Sequence, residues 1–148
     1  MSLRPPIPRP IIGVGAVIWR GDNVLLIKRA KPPYQGLWTI PGGKLEFGER
    51  LEDAVRREVR EETNVEIDII GLVAAVDSHV RHENGEMSHY VLIDYAAIWR
   101  SGEIAAGDDA AEAIWVSRRD ADALVSWDKT RDVIDAAGAL VAAQQGDR

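Results

Sequence analysis

A glycine pair that leads into a carboxylate-rich helical segment is the feature that most constrains this chain. The segment spans residues 42–65, and Leu51, Val55 and Val59 recur at helical spacing to form one apolar stripe. At about 100° per residue, Glu62 continues this stripe, whereas Glu58 lies at its edge, and so does Glu61. We therefore predict an amphipathic helix that buries one carboxylate and holds two more beside it.

A buried carboxylate without compensation costs several kcal/mol, so Glu62 requires a cation or another partner. Three carboxylates within about one helical turn supply the hard oxygen ligands that Mg²⁺ and Mn²⁺ prefer, and they leave positions for water and substrate phosphates. The preceding glycines have no Cβ, so their backbone can approach a ligand closely. The alternative is a solvated charged helix stabilised by i,i+4 ion pairs, which leaves Glu62 in the apolar stripe unexplained.

The same residues resemble the signature box of the Nudix hydrolases, Gly-x5-Glu-x7-Arg-Glu-U-x-Glu-Glu-x-Gly-U, where U is a bulky aliphatic residue. The matching positions are Gly43, Glu49, Arg57, Glu58, Val59, Glu61, Glu62 and Val65. One position departs from the pattern, because Asn64 stands where the box has glycine. This position ends the helix in a left-handed conformation, for which Asn is the next best residue, so the departure affects the helix cap rather than the chemistry.

The resemblance implies an α/β fold, the Nudix-type α/β/α sandwich with a mixed β-sheet. It also implies hydrolysis of a phosphoric anhydride bond with Mg²⁺ as the cofactor, for which Mn²⁺ substitutes in the family. By the same resemblance, Arg57 orients the glutamates by ion pairing. The expected metal site consists of Gly43, Glu58, Glu61 and Glu62.

The general base stays open between several carboxylates. In the resembling family it is either a box residue, here Glu58 or Glu61, or an acidic residue outside the box. Glu112, just before Trp115, is our candidate outside the box, and Asp108 and Asp109 compete with it.

Three residues are candidates for contacting the substrate. Arg29 lies at the end of a predicted strand, where the resembling family often has an arginine, and Trp38 lies in the segment that approaches the box. Arg81 is a weaker candidate for a phosphate contact, because an exposed side chain is the simpler interpretation.

The substrate class is less constrained than the reaction. The chain resembles the bacterial ADP-ribose pyrophosphatase-like group, which favours a nucleoside diphosphate linked to a group X, such as ADP-ribose. No proline follows Pro41, however, whereas classical ADP-ribose enzymes have one downstream. Hydrolysis of nucleoside triphosphates, including oxidised dGTP, is therefore a close alternative. A nucleotide-binding Nudix module without turnover is a third hypothesis, although it would not need the complete set of glutamates.

Composition sets the outer limits. The 148 residues have a net charge of −6 and no cysteine, and we expect an extended Pro-rich arm at residues 1–10 before a single domain at 11–148. The acidic balance argues against nucleic-acid polymers and anionic membranes as partners, and favours a small nucleotide bound through cations. No apolar run approaches 18 residues, so we expect a cytoplasmic protein.

The remaining elements follow from local patterns. We predict a hairpin of strands 11–19 and 24–29, a short strand at 38–40, and a second hairpin of strands 65–80 and 89–99, the first of them interrupted at Gly71. A strand at 113–116 precedes a helix capped by Ser117, and an amphipathic helix at 128–144 covers the core or forms the face of a homodimer. Three histidines, at positions 79, 82 and 89, suggest zinc only weakly, because they lie around a hairpin tip without cysteine.

Overall fold

The computed structural model describes residues 7–146, so most of the predicted N-terminal arm lies outside the described residues. Residues 7–10 are exposed and have no regular secondary structure. The elements, in chain order, are β1 (Ile11–Arg20), β2 (Asn23–Arg29), β3 (Trp38–Thr39), β4 (Gly42–Lys44), α1 (Leu51–Thr63), β5 (Glu66–Arg81), β6 (Met87–Ser101), β7 (Ala110–Ser117), α2 (Arg118–Leu124) and α3 (Asp128–Gly146).

The strands form a mixed sheet in which β1 is central. The main strand order is β3-β2-β1-β6-β5, with β7 paired to β2. β1 runs parallel to β6, whereas its first half pairs with β4 and its end pairs with β2, both antiparallel. On the side of β1 that does not pair with β6, the partner strand therefore changes from β4 to β2 along its length. This arrangement confirms the predicted α/β class with a mixed sheet.

The two predicted hairpins are present, and both are longer than the sequence patterns indicated. β1 and β2 join through Gly21, whose φ of 61° lies in the left-handed region that favours glycine. β5 continues through Gly71, where the register with β6 shifts. The predicted interruption at Gly71 is therefore wrong, because a bulge absorbs the irregularity and lets the strand continue.

Helices pack on both faces of the sheet. Alternate residues of β1 point to opposite sides, so Ala16 and Ile18 face the core beneath α1, whereas Val17 and Trp19 face the core beneath α2 and α3. The predicted apolar stripe of α3 is buried in this second core, and among its members is Ile134, which is 1% exposed. Two roles were predicted for this helix, and the buried stripe confirms the first of them, which is to cover the core.

The end of α1 is capped as predicted. Asn64 has φ 64° and ψ 23°, and its backbone N–H donates to the Arg60 carbonyl oxygen at 2.9 Å. Its side-chain Nδ2 also donates to the Glu103 carbonyl oxygen at 3.1 Å, a contact that the cap pattern did not predict. Ser117 likewise caps α2 as predicted, since its hydroxyl accepts from the Asp120 N–H.

We expect Asn64→Gly to change the free energy of unfolding by less than about 0.5 kcal/mol, because glycine relieves the left-handed backbone but loses an exposed hydrogen bond. Asn64→Val should destabilise the protein by about 1 kcal/mol or more, since a β-branched residue is strained in that conformation. Thermal melting of both variants measures the difference. Equal melting temperatures for the two variants would contradict this explanation of the cap.

None of the helices described between residues 7 and 146 is long and apolar enough to cross a lipid bilayer.

Candidate active site

The glycine pair lies on β4, directly against β1. Gly42 pairs with Gly15, and Gly43 pairs with Val14. A Cβ at position 42 would overlap the Val14 carbonyl oxygen, and one at position 43 would overlap the carboxylate of Glu58. The absence of side chains thus lets β4 pack against β1 on one side and receive the α1 carboxylates on the other.

Glu62 occupies the buried position that the helical spacing predicted. The residue is 3% exposed, and its Oε1 accepts the backbone N–H of Gly42 at 2.7 Å. Burial raises the pKa of Glu62 to about 8, and the nearby Glu58 carboxylate acts in the same direction. Among the described residues, no lysine, arginine or histidine forms an ion pair with this carboxylate. An unneutralised carboxylate in this position is what a cation site requires.

Arg57 orients the neighbouring carboxylates. Its Nε and Nη2 donate to the two oxygens of Glu49 at 2.7 and 2.9 Å, and its Nη1 donates to Glu58 Oε1 at 2.6 Å. A weaker contact of 3.3 Å joins Nη1 to Glu61, and Nη2 also donates to the Lys44 carbonyl oxygen. The planar guanidinium therefore links the loop before α1 to the helix itself, a geometry that an ammonium group does not reproduce.

Glu58 and Glu61 differ in their surroundings. The Glu58 side chain is 16% exposed, whereas that of Glu61 is 42% exposed. Burial raises the pKa of Glu58, although its hydrogen bond from Arg57 opposes this effect. Glu58 is thus mostly buried and Glu61 is more exposed, and the helical spacing had predicted both at the edge of the apolar stripe.

The loop between β6 and β7 closes against the C-terminal end of α1. Gly107 N–H donates to the Glu62 carbonyl oxygen at 3.1 Å, and Ala105 N–H donates to the Thr63 carbonyl oxygen at 3.0 Å. Burial is the main cause of the raised pKa of Glu58, and the charge of Asp108 in this loop raises it further. Asp109 acts in the same way on Glu62. Both aspartates therefore lie within electrostatic reach of the box.

Glu112 is placed differently from the two aspartates. It lies on β7, opposite Lys28 of β2, and the two side chains form an exposed ion pair at 3.4 Å. It does not contribute to the pKa shifts of the box glutamates, whereas Asp108 and Asp109 do. Of the three candidates outside the box, the two aspartates are thus the ones that the fold brings to it.

The three residues predicted to contact the substrate lie in different parts of the fold. Arg29 lies near the box, because its charge opposes the rise in the pKa of Glu62, and its Nε donates to the Pro33 carbonyl oxygen at 2.7 Å. Trp38 is half-buried and packs against the core beneath α2 and α3. Arg81 is the last residue of β5. The strand register places Ala75 of β5 level with Gly43. Arg81 lies six residues further along β5, about 20 Å from that level.

The histidine hairpin does not form a metal site among the described residues. The rings of His79 and His89 stack with centroids 4.4 Å apart, and His82 Nε2 is hydrogen-bonded to Ser88. Nowhere between residues 7 and 146 do three Asp, Glu, His or Cys side chains form a ready-made metal cage. At the box the carboxylates do not converge, because Glu58 accepts a hydrogen bond from Arg57 and Glu62 accepts one from the Gly42 N–H.

The residues at the box nevertheless fit a hard divalent cation. Their donor atoms are carboxylate oxygens, one of the carboxylates is buried without a cationic partner between residues 7 and 146, and the backbone beside them lacks a Cβ. These features are those of an oxygen-ligand site for Mg²⁺ or Mn²⁺.

One buried acid was not predicted from the sequence. Asp94 lies on β6 and is 8% exposed, within the otherwise apolar run of residues 91–97 apart from Tyr95. A single acidic residue inside a run that predicts a buried strand is the signal that could have identified it, since buried acids are rare without a role.

Comparisons with known proteins agree with this geometry. The family model described as NUDIX domain matches residues 9–137. An ADP-ribose pyrophosphatase from Methanocaldococcus jannaschii is 38% identical over 104 residues, which cover 70% of this chain and 60% of that protein. A CTP pyrophosphohydrolase from Escherichia coli is 39% identical over 77 residues, which cover 51% of this chain and 55% of that protein. The chain thus spans less than two thirds of the length of these curated relatives.

A solved structure agrees over most of the chain. The crystal structure of a MutT NUDIX hydrolase from Burkholderia pseudomallei has a TM-score of 0.72 with this chain and 30% sequence identity, and the match covers 86% of this chain and 98% of that one. This similarity confirms the predicted fold. Together with the family match over residues 9–137, it establishes that the chain belongs to the Nudix family.

Proposed function

We propose that this protein is a divalent-metal-dependent pyrophosphohydrolase that cleaves a nucleoside diphosphate linked to a group X, with ADP-ribose-like substrates favoured. The observation that carries the proposal is the buried Glu62 carboxylate, which has no cationic partner among the described residues and lies beside a glycine pair. The similarity to an ADP-ribose pyrophosphatase over 70% of the chain supports the substrate class.

In this proposal, Glu58, Glu61 and Glu62 hold the metal, and Gly43 adds a backbone carbonyl ligand. Mg²⁺, or Mn²⁺ in its place, supplies charge neutralisation at the phosphates and a lower pKa for the attacking water. Arg57 keeps Glu58 in position through the contact of 2.6 Å between them. This fixed geometry matters because catalysis of phosphoryl transfer depends mainly on positioning and electrostatics.

The general base is Glu58, Glu61 or a carboxylate outside the box. For the last of these we now favour Asp108 over Glu112. Asp108 acts electrostatically on Glu58, and its backbone has a φ of 49°, a left-handed conformation that is uncommon outside glycine. Such backbone strain is often found at functional sites. Glu112, in contrast, forms an exposed ion pair with Lys28 at 3.4 Å.

Arg29 is the basic residue best placed to contact a substrate phosphate. It lies within electrostatic reach of Glu62 and at the end of β2, where loop residues 30–37 begin. Its Nε is engaged by the Pro33 carbonyl oxygen, which leaves the Nη donors for an anion.

A second candidate function is hydrolysis of nucleoside triphosphates. The similarity to a CTP pyrophosphohydrolase over half of the chain favours it. A nucleotide-binding module without turnover is the third hypothesis, and the complete set of box glutamates argues against it.

A substrate panel tests these proposals. Purified protein with Mg²⁺ is incubated with ADP-ribose, other nucleoside diphosphate-X compounds, the canonical triphosphates and oxidised dGTP, and the products are separated by chromatography. We expect the highest kcat/KM for ADP-ribose, with AMP and ribose 5-phosphate as products. A higher kcat/KM for a triphosphate would favour the second candidate, and binding without any product would favour the third.

A further inference from the structure

The loop between β2 and β3, residues 30–37, folds back on the residue that precedes it. Arg29 N–H donates to the Leu37 carbonyl oxygen at 3.0 Å, and Gly36 N–H donates to the Arg29 carbonyl oxygen at 2.8 Å. The Arg29 side chain completes this closure, since its Nε donates to the Pro33 carbonyl oxygen at 2.7 Å. The loop is therefore shaped around the guanidinium group that we propose to contact a substrate phosphate.

A second set of contacts holds the same loop beside the box. Ala30 N–H donates to the Asp109 carbonyl oxygen at 2.8 Å, and Lys31 Nζ forms an ion pair with Asp109 Oδ1 at the same distance. Asp109 belongs to the loop whose Gly107 N–H donates to the Glu62 carbonyl oxygen. The loop of residues 30–37 thus borders the proposed metal site rather than a remote part of the surface.

Tyr34 has an unusual backbone conformation within this loop. Its φ of 64° lies in the left-handed region, which bulky residues rarely adopt and which glycine adopts freely, as Gly36 does with a φ of 85°. A residue in such a conformation is strained, and it persists where the surrounding structure determines its backbone, often at a ligand site. Glycine at position 34 would avoid this strain, so the presence of a tyrosine side chain requires an explanation.

Packing does not supply that explanation. Tyr34 is 56% exposed, and among the described residues it packs into neither of the two cores. Functional side chains are often found on loops that a rigid scaffold positions, and here β2 and β3 hold the loop at both ends. A strained, exposed aromatic residue at this position is therefore better explained by a ligand than by the fold.

Tyr34 is also close to the proposed phosphate contact. It directly follows Pro33, whose carbonyl oxygen accepts the hydrogen bond from Arg29 Nε at 2.7 Å. Standard backbone dimensions then place the Tyr34 Cα about 5–6 Å from that nitrogen. A group attached to a phosphate that Arg29 binds is thus within reach of the Tyr34 ring.

Resting on the proposed function, we propose that Tyr34 contacts the group X of the substrate and stacks on a ring within it, such as the terminal ribose of ADP-ribose. Tyrosine has no charge with which to bind a phosphate, whereas its ring offers an apolar face to a sugar or a base. Stacking tolerates different rings because it needs no specific donor or acceptor, and an exposed loop leaves space for groups of different size. Tyr34 is then a specificity-determining residue that favours substrates in which X contains a ring.

The test compares two substrates that differ only in X. ADP-ribose carries a sugar on its second phosphate, whereas the β-methyl ester of ADP carries a methyl group. Each consumes one water and gives AMP and a phosphate monoester, so the chemical step is the same. Tyr34→Asn removes the ring but keeps a residue that tolerates the left-handed conformation. Tyr34→Phe keeps the ring, and Gln35→Ala is the matched control, because Gln35 is an exposed neighbour in the same loop.

For the wild-type protein, Tyr34→Phe and Gln35→Ala, we expect kcat/KM for ADP-ribose to exceed that for the methyl ester by about tenfold or more, on the scale of stacking on one ring. Tyr34→Asn should reduce this ratio to less than about threefold, through a loss with ADP-ribose alone. Its melting temperature should stay equal or rise, because Asn relieves the strain at this position. A structural role for the tyrosine would instead lower the melting temperature and leave the ratio unchanged.

The proposal for Tyr34 is overturned if the ratio is near one in the wild-type protein, if Tyr34→Asn preserves it, or if Tyr34→Asn slows both substrates equally. Loss of the ratio in Tyr34→Phe or in Gln35→Ala would also overturn it, since the ring would then not be the cause. A wild-type protein that does not hydrolyse ADP-ribose would overturn the proposed function as well. The two failures are therefore distinguishable, because the other outcomes require hydrolysis of ADP-ribose.

Discussion

Glu62→Gln should lower kcat by at least about 10²-fold while leaving the fold intact. The substitution removes a charge that we assign to the metal site, where charge stabilisation contributes several kcal/mol to the transition state, and each 1.4 kcal/mol is about tenfold in rate. The fold should survive because the glutamine oxygen can still accept the Gly42 N–H, a bond of 2.7 Å in this structure. The amide also avoids burying a charged group at a site that is 3% exposed.

Glu52→Gln is the matched control on the same helix. Glu52 lies in the first turn of α1 and is exposed, so its charge interacts mainly with solvent and with the helix dipole, worth about 0.3–1 kcal/mol. Its kcat should therefore stay within about twofold of wild type. The measurement is kcat at saturating Mg²⁺ for both variants, with circular dichroism to verify folding. Comparable activity of the two variants would mean that α1 is a charged surface, and the catalytic assignment would be withdrawn.

Removal of divalent cations should abolish hydrolysis. The box offers oxygen ligands, and Glu62 has no cationic partner in the described part of the chain, so we expect no turnover in excess EDTA and recovery when Mg²⁺ or Mn²⁺ is restored. Magnesium should also raise the melting temperature of the wild-type protein, since an ion at 100 times its Kd stabilises the folded state by about 2.7 kcal/mol. This shift should persist in Glu52→Gln and shrink in Glu62→Gln. Undiminished hydrolysis in EDTA would refute the metal assignment.

The affinity for the ion should depend on pH in a defined direction. Burial raises the pKa of Glu62 to about 8, so in the metal-free protein this carboxyl group is mainly protonated at pH 7. The ion must displace that proton, because only the carboxylate form binds a metal. The Kd for Mg²⁺ should therefore increase as the pH falls from 8 to 6, and calorimetry in buffers of different ionisation enthalpy should detect proton release on binding.

Local patterns in the sequence determined the helix and its carboxylates. Helical geometry relates residues three and four apart, so the spacing of Leu51, Val55 and Val59 was enough to place Glu62 in the buried stripe, where it is 3% exposed. The cap at Asn64 was predictable for the same reason, since its left-handed conformation depends on the residue itself and on the preceding turn. The family resemblance added the role of Arg57, whose contacts with Glu49 and Glu58 the structure contains.

Contacts between distant segments decided what the sequence left open. Which of Asp108, Asp109 and Glu112 lies near the box depended on how the 102–109 loop closes against α1, a contact between segments more than 40 residues apart. The position of Arg81, about 20 Å along the strand from the level of Gly43, likewise followed only from the register of β5 with β6 and β1.

The surroundings of Asp94 show the same limit most clearly. Alternation along β6 indicates only that Asp94 and Tyr95 point to opposite faces of the sheet. That the Asp94 carboxylate meets Gly15 and shares a cavity with Trp127 depends on the parallel pairing of β6 with β1 and on the packing of α3 across the sheet. Such contacts join residues that are distant in the chain, so no periodicity within one segment could have predicted them, and only the tertiary structure brings them together.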